Sequence, residues 1–370
     1  MSRPASKGAP LRPGRFFLPG PTEVHPDVLS AQTRPMISHR GAGVHELMLE
    51  LQSGLERVFL TARPVFLSTS SATGLMEAAV RNATSRRMLS LVNGAFSQRF
   101  AEIGRLCGNE VDEVSIPWGE AHDPAEVAER LRSGTYEAVT VAHSETSTGV
   151  LNDIRAIGAV VAGHEDTLLL VDSVSGFAAA EVRTDEWRLD FLLTGSQKAF
   201  ALPPGLAFGV ASAAMMERAA TAPRRGFYFD LERFAEAHEK HQSPTTPALS
   251  ILFALRVQLE RMLAEGMEAR WARHARMAER TWAWVDEMRD AAVDVRVVAP
   301  EGHRSPAVTA IRLPDELSGP PVVRAMLERG WVIGGGYGKL KERTIRIGHM
   351  GDHTLEELEG LLAELSDVLR

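Results

Sequence analysis

The chain has 370 residues, 44% hydrophobic and 24% charged; that is ordinary for a globular protein and too long for one compact core. A formal charge of −7 argues against a nucleic-acid-binding surface, which needs a basic face. Cys107 is the only cysteine, so an intrachain disulfide and a cysteine-rich metal site are both excluded, and no metal is expected.

Residues 1–14 hold basic residues, Pro and Gly without an apolar stretch, and read as a mobile tail rather than a secretory leader. No later apolar run approaches a membrane span, since residues 167–171 and 191–193 are bounded by charges and Gly. A cytoplasmic enzyme is the default expectation. Between residues 63 and 210, short β-rich runs alternate with amphipathic stretches. Strands are predicted over 65–67, 88–92, 110–115, 138–142, 167–171, 191–194 and 207–210, and helices over 75–83, 96–106, 124–132 and 154–163. This alternation predicts an α/β domain with a largely parallel central sheet, its functional residues gathered at the carboxyl ends of the strands.

From residue 247 the texture changes to long helical patterns over 248–264 and 267–288, interrupted at Gly266. Beyond them come β-like runs at 293–298, 307–312, 332–333 and 344–347, with helices at 321–329 and 355–369. The expected organisation is a tail (1–14), a large domain with an N-terminal arm (15–255) and a smaller α+β domain (256–370).

Two strand ends carry reactive groups. The run Leu168-Leu169-Leu170-Val171 leads into Asp172, and the strand near Phe191 leads into Gly195-Ser196-Gln197-Lys198. Singly, Asp after a strand is often a turn residue and Lys is usually solvated. Together they suit a pyridoxal enzyme, where an amine meets the cofactor aldehyde and a carboxylate keeps the pyridine nitrogen protonated. A partly buried Lys near a cation also has a lowered pKa, which makes it a better nucleophile. Ser70-Ser71-Ala72-Thr73-Gly74, ahead of a helix, is a candidate phosphate cradle. The run Gly334-Gly335-Gly336-Tyr337-Gly338-Lys339 lacks the Ser or Thr of a nucleotide loop and reads as a plain loop. His238-Glu239-Lys240-His241 has the wrong spacing for a zinc helix, His164 and His274 read as surface residues, and Cys107 as packing within a helix.

Five segments then resemble the class V aminotransferases of fold type I, in the alanine–glyoxylate and serine–glyoxylate (serine–pyruvate) group. They are Pro19-Gly20-Pro21-Thr22, Asn93-Gly94-Ala95-Phe96, and His143-Ser144-Glu145-Thr146-Ser147-Thr148-Gly149-Val150. The other two are Val171-Asp172-Ser173-Val174-Ser175, and Gly195-Ser196-Gln197-Lys198-Ala199 with Pro203-Pro204-Gly205 after it. The resemblance runs from about Phe17 to the C-terminus. It implies pyridoxal 5′-phosphate bound as a Schiff base on Lys198, with Asp172 at the pyridinium nitrogen. Phe96 falls where the family stacks an aromatic ring on the cofactor, with Val174 on the other face and Thr146 at the phenolic oxygen. Ala72, Thr73 and Gln197 would hold the phosphate, with Thr245 reaching in from a second subunit of a homodimer.

The same resemblance places Arg346 on the substrate carboxylate, where a planar guanidinium can pair both oxygens. Gly20 would lie on the substrate side. Ser38-His39-Arg40 departs from the mammalian-type alanine–glyoxylate pattern and resembles phosphoserine and aminoethylphosphonate transaminases, although serine–glyoxylate relatives can carry it too; Arg40 is thus a substrate-phosphate candidate or an interface residue. The expected reaction moves an amino group from alanine or serine to a 2-oxo acid such as glyoxylate or pyruvate. Phosphoserine or 2-aminoethylphosphonate is the alternative donor, and a lyase of the same fold a weaker alternative. Cysteine desulfurases share the fold but need a late nucleophilic cysteine, which this chain lacks.

Overall fold

Seven strands, most of them apolar throughout, form the central sheet. In a computed structural model describing residues 12–370, their order is Val65–Ser68, Ala207–Ala211, Phe191–Gly195, Leu168–Asp172, Ala138–Ala142, Arg87–Val92 and Glu110–Ser115. Of the expected tail, residues 1–11 lie outside the described residues. Ala207–Ala211 runs antiparallel to both neighbours, and the remaining pairings are parallel. This is the α/β class with a mostly parallel sheet that the alternation predicts.

Such apolar strands need cover on both faces. Successive side chains point to opposite faces, so Leu169, Val171, Leu192 and Phe208 enter one core while Leu168, Leu170, Phe191 and Ala207 enter the other. Helices Ala42–Phe59 and Leu249–Glu265 cover the first face; Ala72–Ala83, Ala95–Leu106 and Ala213–Thr221 cover the second. The outer strand Glu110–Ser115 is polar, with Glu110, Asp112 and Glu113 along it, a composition that blunts an open sheet edge.

A second, five-stranded sheet has the order Phe16–Phe17, Val332–Gly335, Thr344–Gly348, Val308–Arg312 and Arg296–Val297. It packs with helices Met267–Asp290, Gly319–Glu328 and Leu355–Leu369 around Phe17, Trp284, Ile311, Ile345 and Leu361. Phe16–Phe17 pairs parallel with Val332–Ile333, so the N-terminal arm is anchored in this sheet before it crosses to the central one.

Several local expectations change. Helices Ala42–Phe59, Ala213–Thr221 and Leu231–Glu239 are absent from the sequence reading, although Val44, Leu47, Met48, Leu51 and Leu55 recur at helical spacing. The first helix after Val65–Ser68 begins at Ala72 rather than residue 75, which puts Ala72 and Thr73 in its first turn. The strand expected over 293–298 shrinks to Arg296–Val297, because the chain leaves the preceding helix through left-handed Ala292 and Val293 N–H still bonds Met288 O. His274 is not a surface residue. It is wholly buried, with Nδ1 2.7 Å from Arg270 O and Nε2 accepting from Gly351 N–H at 3.2 Å, and burial holds its pKa well below the ordinary value. Cys107 lies one residue past the helix Ala95–Leu106 and caps it.

Candidate active site

The carboxyl ends of the central strands and the N-terminal arm meet around a cavity of about 290 Å³. Its walls include Gly20, Ala72, Thr73, Phe96, Thr146, Asp172, Val174, Gln197 and Lys198, nine of the residues singled out from the sequence.

Lys198 stands on a connection whose shape is fixed by backbone bonding. Ser196 N–H donates to Leu206 O at 3.0 Å, Leu202 N–H to Ser196 O at 3.0 Å, and Ser196 Oγ to Pro203 O at 2.8 Å. Ala201 completes the turn in a left-handed conformation, φ 52°. The arm then lies across this loop: Thr22 N–H donates to Gln197 O at 3.0 Å and Thr22 Oγ1 to Lys198 O at 2.9 Å. Lys198 is buried, and its Nζ donates to Pro19 O. Burial, aided by the Arg346 guanidinium, brings its ammonium down to about 8. Near neutral pH a usable fraction of the amine is therefore free to attack an aldehyde.

Gly20 is where the arm comes closest. At φ +97° it takes a conformation that other residues adopt only under strain, and a Cβ there would lie 2.6 Å from Lys198 Nζ. Gly20→Ala is expected to leave the fold intact, lowering the melting temperature by a few degrees for about 1–3 kcal/mol of strain. The same change should slow uptake of an aldehyde at Lys198 by about tenfold or more, because the amine must swing away. Stopped-flow absorbance with pyridoxal 5′-phosphate measures this; unaltered uptake would mean that the arm does not confine the lysine.

Asp172 ends its strand, and its Oδ1 accepts from Val174 N–H at 2.8 Å. Burial, opposed by that amide, pushes the carboxyl up to about 6. A cation placed against it would favour the ionised form. Phe96 opens onto the cavity with Lys198 Nζ 5.9 Å from its ring centroid. Ala72 and Thr73 begin their helix, where first-turn N–H groups have no intrahelical acceptor and the helix end favours an anion. Thr146 Oγ1 bonds Ser175 Oγ.

Arg346 lies beside these walls. Its Nε donates to Gly335 O at 2.7 Å and Nη1 to Thr146 O at 3.1 Å, and its guanidinium carbon is 5.5 Å from the Tyr337 ring centroid. No carboxylate among the described residues forms an ion pair with it. Arg40 and Thr245 are not brought to this cavity. Arg40 Nη1 donates to Gln242 Oε1 at 2.8 Å and Ser243 O at 2.9 Å, and Thr245 O accepts from Ser243 Oγ at 2.6 Å, so the two share one segment elsewhere on the chain.

The sequence reading passed over three residues here. Arg99 lies one turn after Phe96, its guanidinium carbon 5.0 Å from the Phe96 centroid; its Nη2 donates to Tyr337 Oη at 3.3 Å, and it too lacks an ion-pair partner among the described residues. Tyr337 stacks on Phe96 at 5.4 Å, although its glycine-rich run read as a plain loop. Glu145, within a quoted motif but without an assigned role, is wholly buried behind Phe96. The i,i+3 spacing could have marked Arg99; no local signal marks the other two.

The chemistry of this donor set fits pyridoxal phosphate: a buried amine of depressed pKa, a strand-end carboxylate, an aromatic face and an open helix N-terminus share one cavity. The family profile Aminotransferase class-V matches residues 23–319. The chain belongs to the class V aminotransferases. The L-aspartate–glyoxylate aminotransferase of Paracoccus denitrificans is 35% identical, spanning 92% of this chain and 87% of its own. The serine–glyoxylate aminotransferase of Arabidopsis thaliana is 32% identical over 97% and 91%. The crystal structure of an alanine–glyoxylate aminotransferase from Nostoc sp. superposes with a TM-score of 0.91 at 27% identity, covering 100% of this chain and 98% of that one. This class V aminotransferase is accordingly a pyridoxal-phosphate-dependent transaminase of the corresponding fold, acting on amino acids and 2-oxo acids. Among the described residues no helix is long and apolar enough to cross a membrane.

Proposed function

We propose that this transaminase takes its amino group from a small amino acid, alanine or serine, and gives it to a short 2-oxo acid, glyoxylate or pyruvate, in the cytoplasm. The observation that carries this reading is that Lys198 and Asp172 line one small cavity, with Arg346 hydrogen-bonded to Thr146 on its wall. When bound, the cofactor supplies an electron sink for charge developing at the substrate Cα. Lys198 holds the aldehyde, and once freed takes up and returns a proton at Nζ, for which a pKa near 8 is well matched. Asp172 would support a positive ring nitrogen, Phe96 and Val174 would cover the ring, and Thr146 would bond the phenolic oxygen. Ala72, Thr73 and Gln197 hold the phosphate.

Arg346 grips the substrate carboxylate. Its Nε and Nη1 are already committed to Gly335 O and Thr146 O, which fixes the plane of the guanidinium and leaves Nη2 to face an anion. Thr245 and Arg40 would act across the interface of a homodimer, which accounts for their distance from this chain's own cavity. Arg346→Ala is expected to raise KM for every amino donor by about 10- to 150-fold, the equivalent of about 1.5–3 kcal/mol for a charged hydrogen-bonded pair. Steady-state kinetics with alanine, serine, aspartate and phosphoserine against glyoxylate measures this; an unchanged KM would remove Arg346 from the substrate.

A dicarboxylic donor is a second reading, favoured by Arg99, a half-buried guanidinium on the cavity wall with no ion-pair partner among the described residues. The name of the Paracoccus relative points the same way. In the same panel, aspartate as the best donor, with a KM that rises selectively in Arg99→Ala, would replace alanine or serine in this proposal.

A further inference from the structure

The helix Ala95–Leu106 starts in an unusual way. Gly94 precedes it and brings no side chain to cap the first turn; the acceptor comes instead from Glu145, 49 residues beyond Phe96. Glu145 Oε2 accepts from Phe96 N–H at 3.0 Å, Ser97 N–H at 2.9 Å and Ser97 Oγ at 3.0 Å. Its Oε1 accepts from Ser147 N–H at 3.1 Å and Ser147 Oγ at 2.6 Å. Ser147 Oγ in turn accepts from Ala95 N–H at 3.0 Å. Both carboxylate oxygens thus face donors, and the charge sits at the positive end of the helix. A Cβ on Gly94 would fall 2.2 Å from Glu145 Cγ, so the glycine is what admits the carboxylate.

The residue whose N–H is held is Phe96, and its ring opens onto the cavity. We propose that Glu145 is a positioning residue that sets the Phe96 ring against the bound cofactor by clamping the first turn of its helix. This rests on the reading of Phe96 as the ring that covers the cofactor. Glutamine at 145 keeps the size but turns an N–H₂ group toward backbone N–H donors whichever way it flips.

The test is a double-mutant cycle on Phe96→Ala and Glu145→Gln in the full chain. Pyridoxal phosphate affinity is measured by fluorescence titration, the visible circular dichroism of the bound cofactor reports ring geometry, and melting of the cofactor-free protein gives stability. Phe96→Ala is expected to weaken affinity about tenfold. Glu145→Gln should weaken it by a similar factor and reduce the visible dichroism, and the double variant should lie within about twofold of the weaker single. Two results overturn the proposal: losses that multiply in the double variant, or Glu145→Gln lowering melting while affinity and dichroism stay at wild-type values. Unchanged affinity in Phe96→Ala instead overturns the reading of Phe96 beneath it. Should Glu145→Gln fail to fold, Ser147→Ala removes one donor to Oε1 and runs the same cycle, with a twofold to threefold loss expected on the order of one weak hydrogen bond.

Discussion

Lys198→Ala is expected to abolish transamination, with a loss of at least about 10³-fold in kcat, and to remove the visible absorbance of lysine-bound cofactor. The size follows from what would disappear together on the proposed reading: the amine holding the aldehyde and the proton carrier beside the substrate Cα. The fold should survive, because the loop is held through backbone groups and through Ser196 and Thr22, none of which needs the Lys198 side chain. A pH series on the wild-type protein carries the same argument. The Lys198 ammonium lies near 8, lowered by burial, so the reactive neutral amine grows as pH rises. Cofactor uptake should accelerate roughly tenfold per pH unit below about 8 and flatten above it. A rate that is level from pH 6 to 8 would place the attacking amine elsewhere.

Asp172→Asn should be the second most damaging change. Asparagine keeps an oxygen that can accept from Val174 N–H, so the strand end and the turn after it persist. It cannot carry the negative charge that favours a protonated ring nitrogen. A fall in kcat on the order of 10²–10³-fold is expected, the usual scale for removing one preorganised electrostatic group, with KM changed far less. Burial holds the Asp172 carboxyl near 6, and a cation beside it draws that value down. Cofactor binding by wild type should therefore release protons on acidification toward pH 6, and in Asp172→Asn that release should vanish. A variant within about threefold of wild-type kcat would show that the charge at 172 is dispensable.

The parts of this molecule that were legible in its sequence are those written in local pattern. Leu168-Leu169-Leu170-Val171 followed by Asp172 announces a buried strand and its polar end, and Phe191–Gly195 followed by Lys198 does the same. The order of apolar and helical runs was enough for the α/β class. Ala42–Phe59 was equally legible by its spacing and was overlooked. What local pattern does not carry is contact across the fold. Glu145 reaches Phe96 over 49 residues, and Arg346 reaches Thr146 over 200. Tyr337 gains its place from stacking on Phe96, not from the glycines around it. His274 looked like a surface residue because its helix is rich in Arg and Glu, yet it lies on the face turned toward Gly351. Arg40 and Thr245 keep their proposed roles only through a second subunit, which a single chain does not contain.

Lys198 is the residue to which the cofactor would be joined on the proposed reading. Borohydride reduction of the protein loaded with pyridoxal phosphate, followed by digestion and mass spectrometry, reads this directly, because reduction makes the lysine–cofactor link permanent. The chain has only four other lysines, Lys7, Lys240, Lys339 and Lys341, so the assignment is unambiguous. The expected result is one phosphopyridoxyl group, on the peptide that contains Lys198. The group on any of the other four, or no modified peptide at all, would contradict the account.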